Sequence, residues 1–81
     1  MKLSAEVHAH GSGVPRAFRT VEEVLSFIDN GLTPDLAKLP RWSFARALFV
    51  EAARTGKSRD MNAAVRQLRQ ALRNEHWAVE K

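Results

Sequence analysis

The sequence SRDMNAAVRQLRQALRNEHW, residues 58–77, decides the fold of this 81-residue chain. Its apolar residues recur at the spacings i, i+3, i+4, i+7 and i+11, the pattern of a helix that packs one face against a core. They are Met61, Ala64, Val65, Leu68 and Leu72. We therefore predict a helix over residues 58–77, with Ser58 as its N-cap and Asp60 near the positive end of the helix dipole.

Arginine covers much of the remaining surface of this predicted helix. The core does not need these side chains, so they are the best indication in the sequence of a charged partner. They are Arg59, Arg66, Arg69 and Arg73.

A first helix is predicted upstream, over residues 20–30. It begins with a capping box, in which Thr20 and Glu23 each bond the other's backbone amide. It ends at Asn30-Gly31, where a residue suited to the left-handed C′ position closes the helix. Its inner face is formed by Val21, Val24, Leu25 and Ile28.

The second predicted helix covers residues 41–55 and ends at Gly56. Residues 31–40 before it are expected to be a loop with one helical turn, because Thr33-Pro34 can start a turn and Pro40 stops it. The inner side of the second helix carries Trp42, Ala45, Phe49, Ala52 and Ala53, with Phe44 and Leu48 beside them.

Residues 2–19 predict a β-hairpin. Apolar residues alternate with polar ones in the first strand, as in a strand with one buried face. The apolar residues are Leu3, Ala5, Val7 and Ala9. Gly11-Ser12-Gly13 supplies the turn, and residues 14–19 return as the second strand. Because two strands alone are marginally stable, we predict a single α+β domain, residues 1–81, with an N-terminal antiparallel hairpin packed on three α-helices in the order ββααα.

Composition places the chain among folded globular domains, with 44% hydrophobic and 27% charged residues. The absence of cysteine and of a long apolar run predicts a cytoplasmic protein without disulfide or membrane segment. Residues 1–37 carry a net charge of −2 and residues 38–81 a net charge of +6, which give the total of +4. Such an asymmetry allows a positive face that attracts anions, although a solvated face has the same composition.

Several segments resemble the small alphaproteobacterial proteins of domain of unknown function family 982. They are the opening hairpin, TVEEVLSFI at residues 20–28, WSFARAL at residues 42–48 and AARTGKS at residues 52–58. The resemblance implies a similar fold and a bacterial cytoplasmic setting. It transfers no site residue, because the family has no assigned activity to carry over.

No arrangement of residues indicates catalysis, a cofactor or a metal site, and we predict that the protein is not an enzyme. The segment Gly56-Lys57-Ser58 ends like a phosphate-binding loop, but Glu51 stands where that loop needs a glycine. His8 and His10 lie on one side of a strand and could share a metal ion. Two imidazoles are too few for a closed zinc site, so an exposed strand face is the simpler interpretation.

Two functions remain open from the sequence. The interpretation that we favour is a non-catalytic protein-interaction or accessory module, with a homodimer as one form of it, because the hairpin has an exposed edge and one small core has limited room for Phe27, Trp42 and Phe44. The alternative is non-specific nucleic-acid binding through the arginine side of the last helix. Its candidate residues are Lys57, Arg59, Arg66, Arg69 and Arg73.

Overall fold

An N-terminal antiparallel pair of strands followed by helices confirms the α+β class. The computed structural model describes residues 1–10, 17–75 and 77–80. The strands are β1 (Lys2–His10), β2 (Ala17–Thr20) and β3 (Ala78–Glu80), and the helices are α1 (Val21–Ser26), α2 (Pro34–Ala37), α3 (Pro40–Thr55) and α4 (Ser58–Asn74). The predicted hairpin turn at residues 11–13 and the predicted start of the second strand at residues 14–16 lie outside the described residues.

The third strand was not predicted. The helix predicted over residues 58–77 ends at Asn74, and the chain then returns as β3, which pairs antiparallel with His8–His10 of β1. The resulting sheet has the order β2-β1-β3. Trp77 therefore lies between α4 and β3, where its ring centroid is 6.0 Å from that of Phe27 and 6.2 Å from that of Trp42.

A wide irregularity interrupts the pairing of β1 with β2. Lys2 is opposite Thr20, but Val7 is opposite Phe18, so residues 3–6 of β1 face only Arg19. An insertion of this kind breaks the alternation of side chains between the two faces. Leu3, Val7 and Ala9 are buried as predicted, whereas Ala5 is exposed and its predicted burial is wrong.

The start of α1 agrees with the sequence and its end does not. The Glu23 amide donates to Thr20 Oγ1 at 3.2 Å and the Thr20 amide to Glu23 Oε1 at 3.1 Å, which confirms the capping box. The left-handed C′ position predicted for Gly31 is wrong, because α1 continues into a π-helical turn, Phe27–Gly31, and Gly31 has no positive φ. Gly31 is instead suited by its small size, since a Cβ atom there would lie 2.7 Å from Phe27 Cδ1.

The turns around α3 mostly follow the prediction. Thr33 Oγ1 accepts from the Leu36 amide at 3.4 Å and starts the single turn of α2. Gly56 ends α3 at φ 67°, as predicted. Ser58 is not the N-cap of α4, because Lys57 occupies that position. The hydroxyl of Thr55 accepts from the Lys57 amide at 3.2 Å and donates to Asp60 Oδ2 at 2.5 Å, so this side chain joins the two helices.

The core lies between α3, α4 and the sheet. Trp42, Ala45, Phe49 and Ala52 of α3 are buried as predicted, while Ala53 is exposed, against the prediction. The buried residues of α4 are Met61, Ala64, Val65, Leu68, Ala71 and Leu72. None of the described helices combines the length and the apolar character needed to cross a membrane.

Candidate functional site

One side of α4 carries a row of polar side chains that we call the arginine face. Successive members are three or four residues apart, so they lie on the same side of the helix. They are Arg59, Asn62, Arg66, Arg69 and Arg73. The last member lies fourteen positions after the first, which corresponds to about 21 Å along the helix axis at 1.5 Å per residue.

A groove of about 410 Å³ separates the arginine face from β1. The irregular segment of β1 forms the opposite wall, where Ser4 and Ala5 have side chains too small to fill the space. The lining residues are Ser4, Ala5, Asn62, Val65, Arg66, Arg69, Gln70 and Arg73. The groove thus brings three arginines and two side-chain amides to one concave surface.

The three arginines of the groove differ in their surroundings. Arg66 and Arg73 are exposed, and within the described part of the chain they have no hydrogen bond or ion pair. Arg69 is half-buried, and its Nη2 donates to the backbone carbonyl oxygen of Glu6 at 3.5 Å. Its Nε atom is enclosed and has no acceptor among the residues that the structure describes. A buried donor without an acceptor loses its hydration without compensation.

The arginines of α3 are paired with carboxylates. Arg41 bonds Glu75 at 2.5 and 2.8 Å, Arg46 bonds Asp29 at 2.9 and 3.4 Å, and Arg54 bonds Glu51. Hydrogen bonding to Asp29 raises the pKa of Arg46, and the bond with Arg54 lowers the pKa of Glu51. Uncompensated positive charge is therefore concentrated on α4 rather than on α3.

The residues predicted to bind nucleic acid do not all lie on one surface. Arg66, Arg69 and Arg73 line the groove together, and Arg59 continues their face towards the start of α4. Lys57 lies apart, in a depression of about 170 Å³ that it shares with Met1, Lys2, Ser4, Gly56, Ser58 and Met61. Ser4, Ala5 and Gln70 were not predicted as site residues, because the irregular segment that creates the groove has no sequence pattern of its own.

The histidines of β1 lie away from the groove. His8 Nε2 is 3.2 Å from Glu6 Oε2, and both side chains are largely accessible to solvent. Among the residues that the structure describes, no three or more His, Cys, Asp or Glu side chains are grouped to hold a metal ion.

The aromatic residues considered for a protein interface are divided between core and surface. Phe27 and Trp42 are buried, with ring centroids 5.9 Å apart. Phe44, in contrast, is 55% exposed on the outer side of α3. The core therefore accommodates two of the three rings.

No family model, curated protein or solved structure matches this chain. The resemblance to family 982 therefore stays a prediction, and the function is inferred from the groove between α4 and β1 and from the outer side of α3.

Proposed function

We propose that this chain is a non-catalytic binding module that holds the phosphate backbone of a nucleic acid along the arginine face. The observation that supports this proposal is the convergence of Arg66, Arg69 and Arg73 on one groove. None of the three is neutralised by a carboxylate of the described residues. An anion that enters the groove would therefore meet guanidinium groups that are available to it.

The chemistry of the lining favours phosphate oxygens as the ligand atoms. A guanidinium group offers a planar set of donors that fits phosphate, and the side chains of Asn62 and Gln70 can add neutral donors. The face is about 21 Å long, and phosphates along one strand follow each other at about 3.4 Å of helix axis. One strand could therefore place several phosphates along this face.

Two properties of the groove support binding without catalysis or sequence recognition. Among the described residues that line the groove, there is no carboxylate or imidazole that could act as a general base near neutral pH. Base recognition by a helix uses polar side chains near its N-terminus, where α4 presents Arg59 and Asn62. Most of the arginine face thus suits the sugar-phosphate backbone of a nucleic acid, which is chemically the same whatever the base sequence.

Salt dependence of oligonucleotide binding tests the proposal. Fluorescence anisotropy with random-sequence single-stranded and duplex oligonucleotides should show affinity that falls as salt rises, with a slope of log K against log salt of about −0.7 to −0.9 per phosphate contacted. The double variant Arg66→Gln/Arg73→Gln should bind more weakly and reduce the magnitude of the slope by about 2.

The variant Arg46→Gln/Arg54→Gln is the matched control. It removes the same formal charge from arginines that are already paired with carboxylates on α3. We expect its affinity to remain within about twofold of the wild type, because exposed paired charges contribute little to an anion bound elsewhere. Equal losses in the two variants would show that affinity follows net charge, and the groove would not be the site.

A second candidate function is association between two copies of the chain through α3. Phe44, Ala47, Val50 and Ala53 are all exposed and follow each other at intervals of three, so they form an apolar row across the outer side of the helix. Arg46 and Glu51 lie on opposite flanks of this row. Two α3 helices packed in parallel would place Arg46 of one copy near Glu51 of the other, as in the flanking charges of a coiled coil. Each of the two side chains would then meet a second partner in addition to Asp29 or Arg54 of its own chain.

Light scattering tests this second candidate. The wild type should show the mass of a dimer at about 100 μM, a concentration that would populate a dimer with a Kd in the micromolar range. Phe44→Ser/Val50→Ser should show the 9.1 kDa monomer. A monomeric wild type at this concentration would rule out the α3 contact as a micromolar interface.

A further inference from the structure

Arg69 differs from the other arginines of the groove in how it is held. Its Nη2 donates to the Glu6 carbonyl across the groove wall, and its Nε is enclosed without an acceptor. Arg66 and Arg73 have neither feature and extend into solvent. The same helix face therefore carries one anchored guanidinium group between two unanchored ones.

Anchoring changes what a guanidinium group can do for a ligand. A free arginine loses side-chain rotamer freedom when it binds, whereas an arginine already held in one arrangement loses less. The enclosed Nε–H of Arg69 lies out of reach of a water molecule, so a ligand oxygen would meet the Nη groups of this half-buried side chain.

We infer that Arg69 is a preorganised position for one phosphate group in the floor of the groove. This inference rests on the proposed function and assigns its central contact. Arg66 and Arg73, one turn to either side, balance the remaining negative charge, and the Ser4 hydroxyl and Gln70 amide in the lining are further donors. The ligand chemistry is a tetrahedral phosphate, which either a nucleic-acid backbone or a free phosphate ion can supply.

Arginine side-chain NMR is the direct test, because each Nε–H group gives its own signal. Titration of the ¹⁵N-labelled protein with inorganic phosphate should shift the Arg69 signal in a saturable way. The signals of Arg46 and Arg54, which are paired on α3, should remain in place. Shifts of equal size at all arginines, or none at Arg69, would overturn the inference. A second titration with a single-stranded oligonucleotide should shift Arg69 at a lower concentration, because neighbouring phosphates add contacts.

Lysine substitutions distinguish the effect of an arginine's donor geometry from the effect of its positive charge. Arg69→Lys keeps the positive charge but removes the planar donor set of the guanidinium group, so we expect oligonucleotide affinity to fall about fivefold to tenfold with little change in the salt slope. Arg46→Lys is the matched control and should change affinity by less than about twofold, since Arg46 is paired with Asp29 on α3 and does not line the groove. Equal effects of the two substitutions would overturn the special role of Arg69.

The two titrations also distinguish this inference from the proposed function. If phosphate shifts Arg69 but no oligonucleotide binds, the phosphate position is supported and the nucleic-acid function is wrong. If oligonucleotides bind with the expected salt slope but the Arg69 signal does not move, the nucleic-acid function is supported and the inference is wrong. Circular dichroism of the Arg69→Lys protein verifies that the fold is retained.

Discussion

The two long helices, α3 and α4, have similar buried faces and different exposed faces. α3 has 16 residues and α4 has 17. Each buries one stripe of apolar side chains against the other, and α3 also packs on α1 while α4 packs on β1. The outer side of α3 carries an apolar row and arginines paired with carboxylates. The outer side of α4 carries arginines of which most have no partner among the described residues. The buried faces form the core and stabilise the fold, so the exposed faces are the ones that can contact a partner.

The largest expected loss of stability comes from truncating side chains that are buried between α3 and α4. Phe49→Ala or Leu68→Ala should each destabilise the protein by about 2–5 kcal/mol, because both side chains are fully buried and their truncation leaves a cavity. Urea unfolding followed by circular dichroism measures this loss. Val50→Ser and Arg66→Gln, on the two outer faces, should stay within about 0.5 kcal/mol of the wild type. A loss from Val50→Ser as large as that from Phe49→Ala would contradict the assignment of inner and outer sides of α3.

A smaller effect is expected at the turn that joins the helices. Gly56 adopts φ 67°, a left-handed conformation that costs a residue with a Cβ atom about 1–2 kcal/mol. Gly56→Ala should therefore lower the free energy of unfolding by that amount, even though the added methyl group would have nothing within 4 Å. Gly56→Asn should lose less, because asparagine tolerates this conformation. Equal stability of the alanine variant and the wild type would show that the turn does not require φ above zero.

The smallest expected effect is a pH-dependent change in stability from the pair formed by Glu51 and Arg54. The hydrogen bond from Arg54 lowers the pKa of Glu51 below its ordinary value of 4.5. A carboxylate with a lowered pKa in the folded state stabilises the protein above about pH 4.5, and this contribution disappears as the pH falls through the folded pKa. The melting temperature of Glu51→Gln should thus be slightly below that of the wild type at neutral pH and should match it in strong acid. A difference between the two proteins that persists at low pH would exclude this ion pair as its cause.

The sequence was informative wherever structure is set by neighbouring residues. The buried stripe of α4 from Met61 to Leu72 follows directly from its spacing, and so does the grouping of Arg66, Arg69 and Arg73 on one side. The capping box at Thr20 and the left-handed Gly56 also depend only on local chemistry.

The missed features depend on contacts between distant parts of the chain. β3 has three residues, too few for a periodic pattern, and it exists because β1 offers an edge at His8–His10. The irregular register of β1 depends on its alignment with β2, which no property of residues 3–6 specifies. Because the groove has this segment as one wall, its arginines could be predicted from the sequence but its shape could not.

The pairing of β1 with β3 has a consequence for the order in which the molecule assembles. His8 meets Glu80, so the bridge closes a loop of 72 residues and forms only after the intervening helices have brought the strand into position. Until then that edge of β1 is open to any passing extended chain. The step that completes the sheet thus also covers this edge of β1 and leaves β2 and β3 as the outer strands.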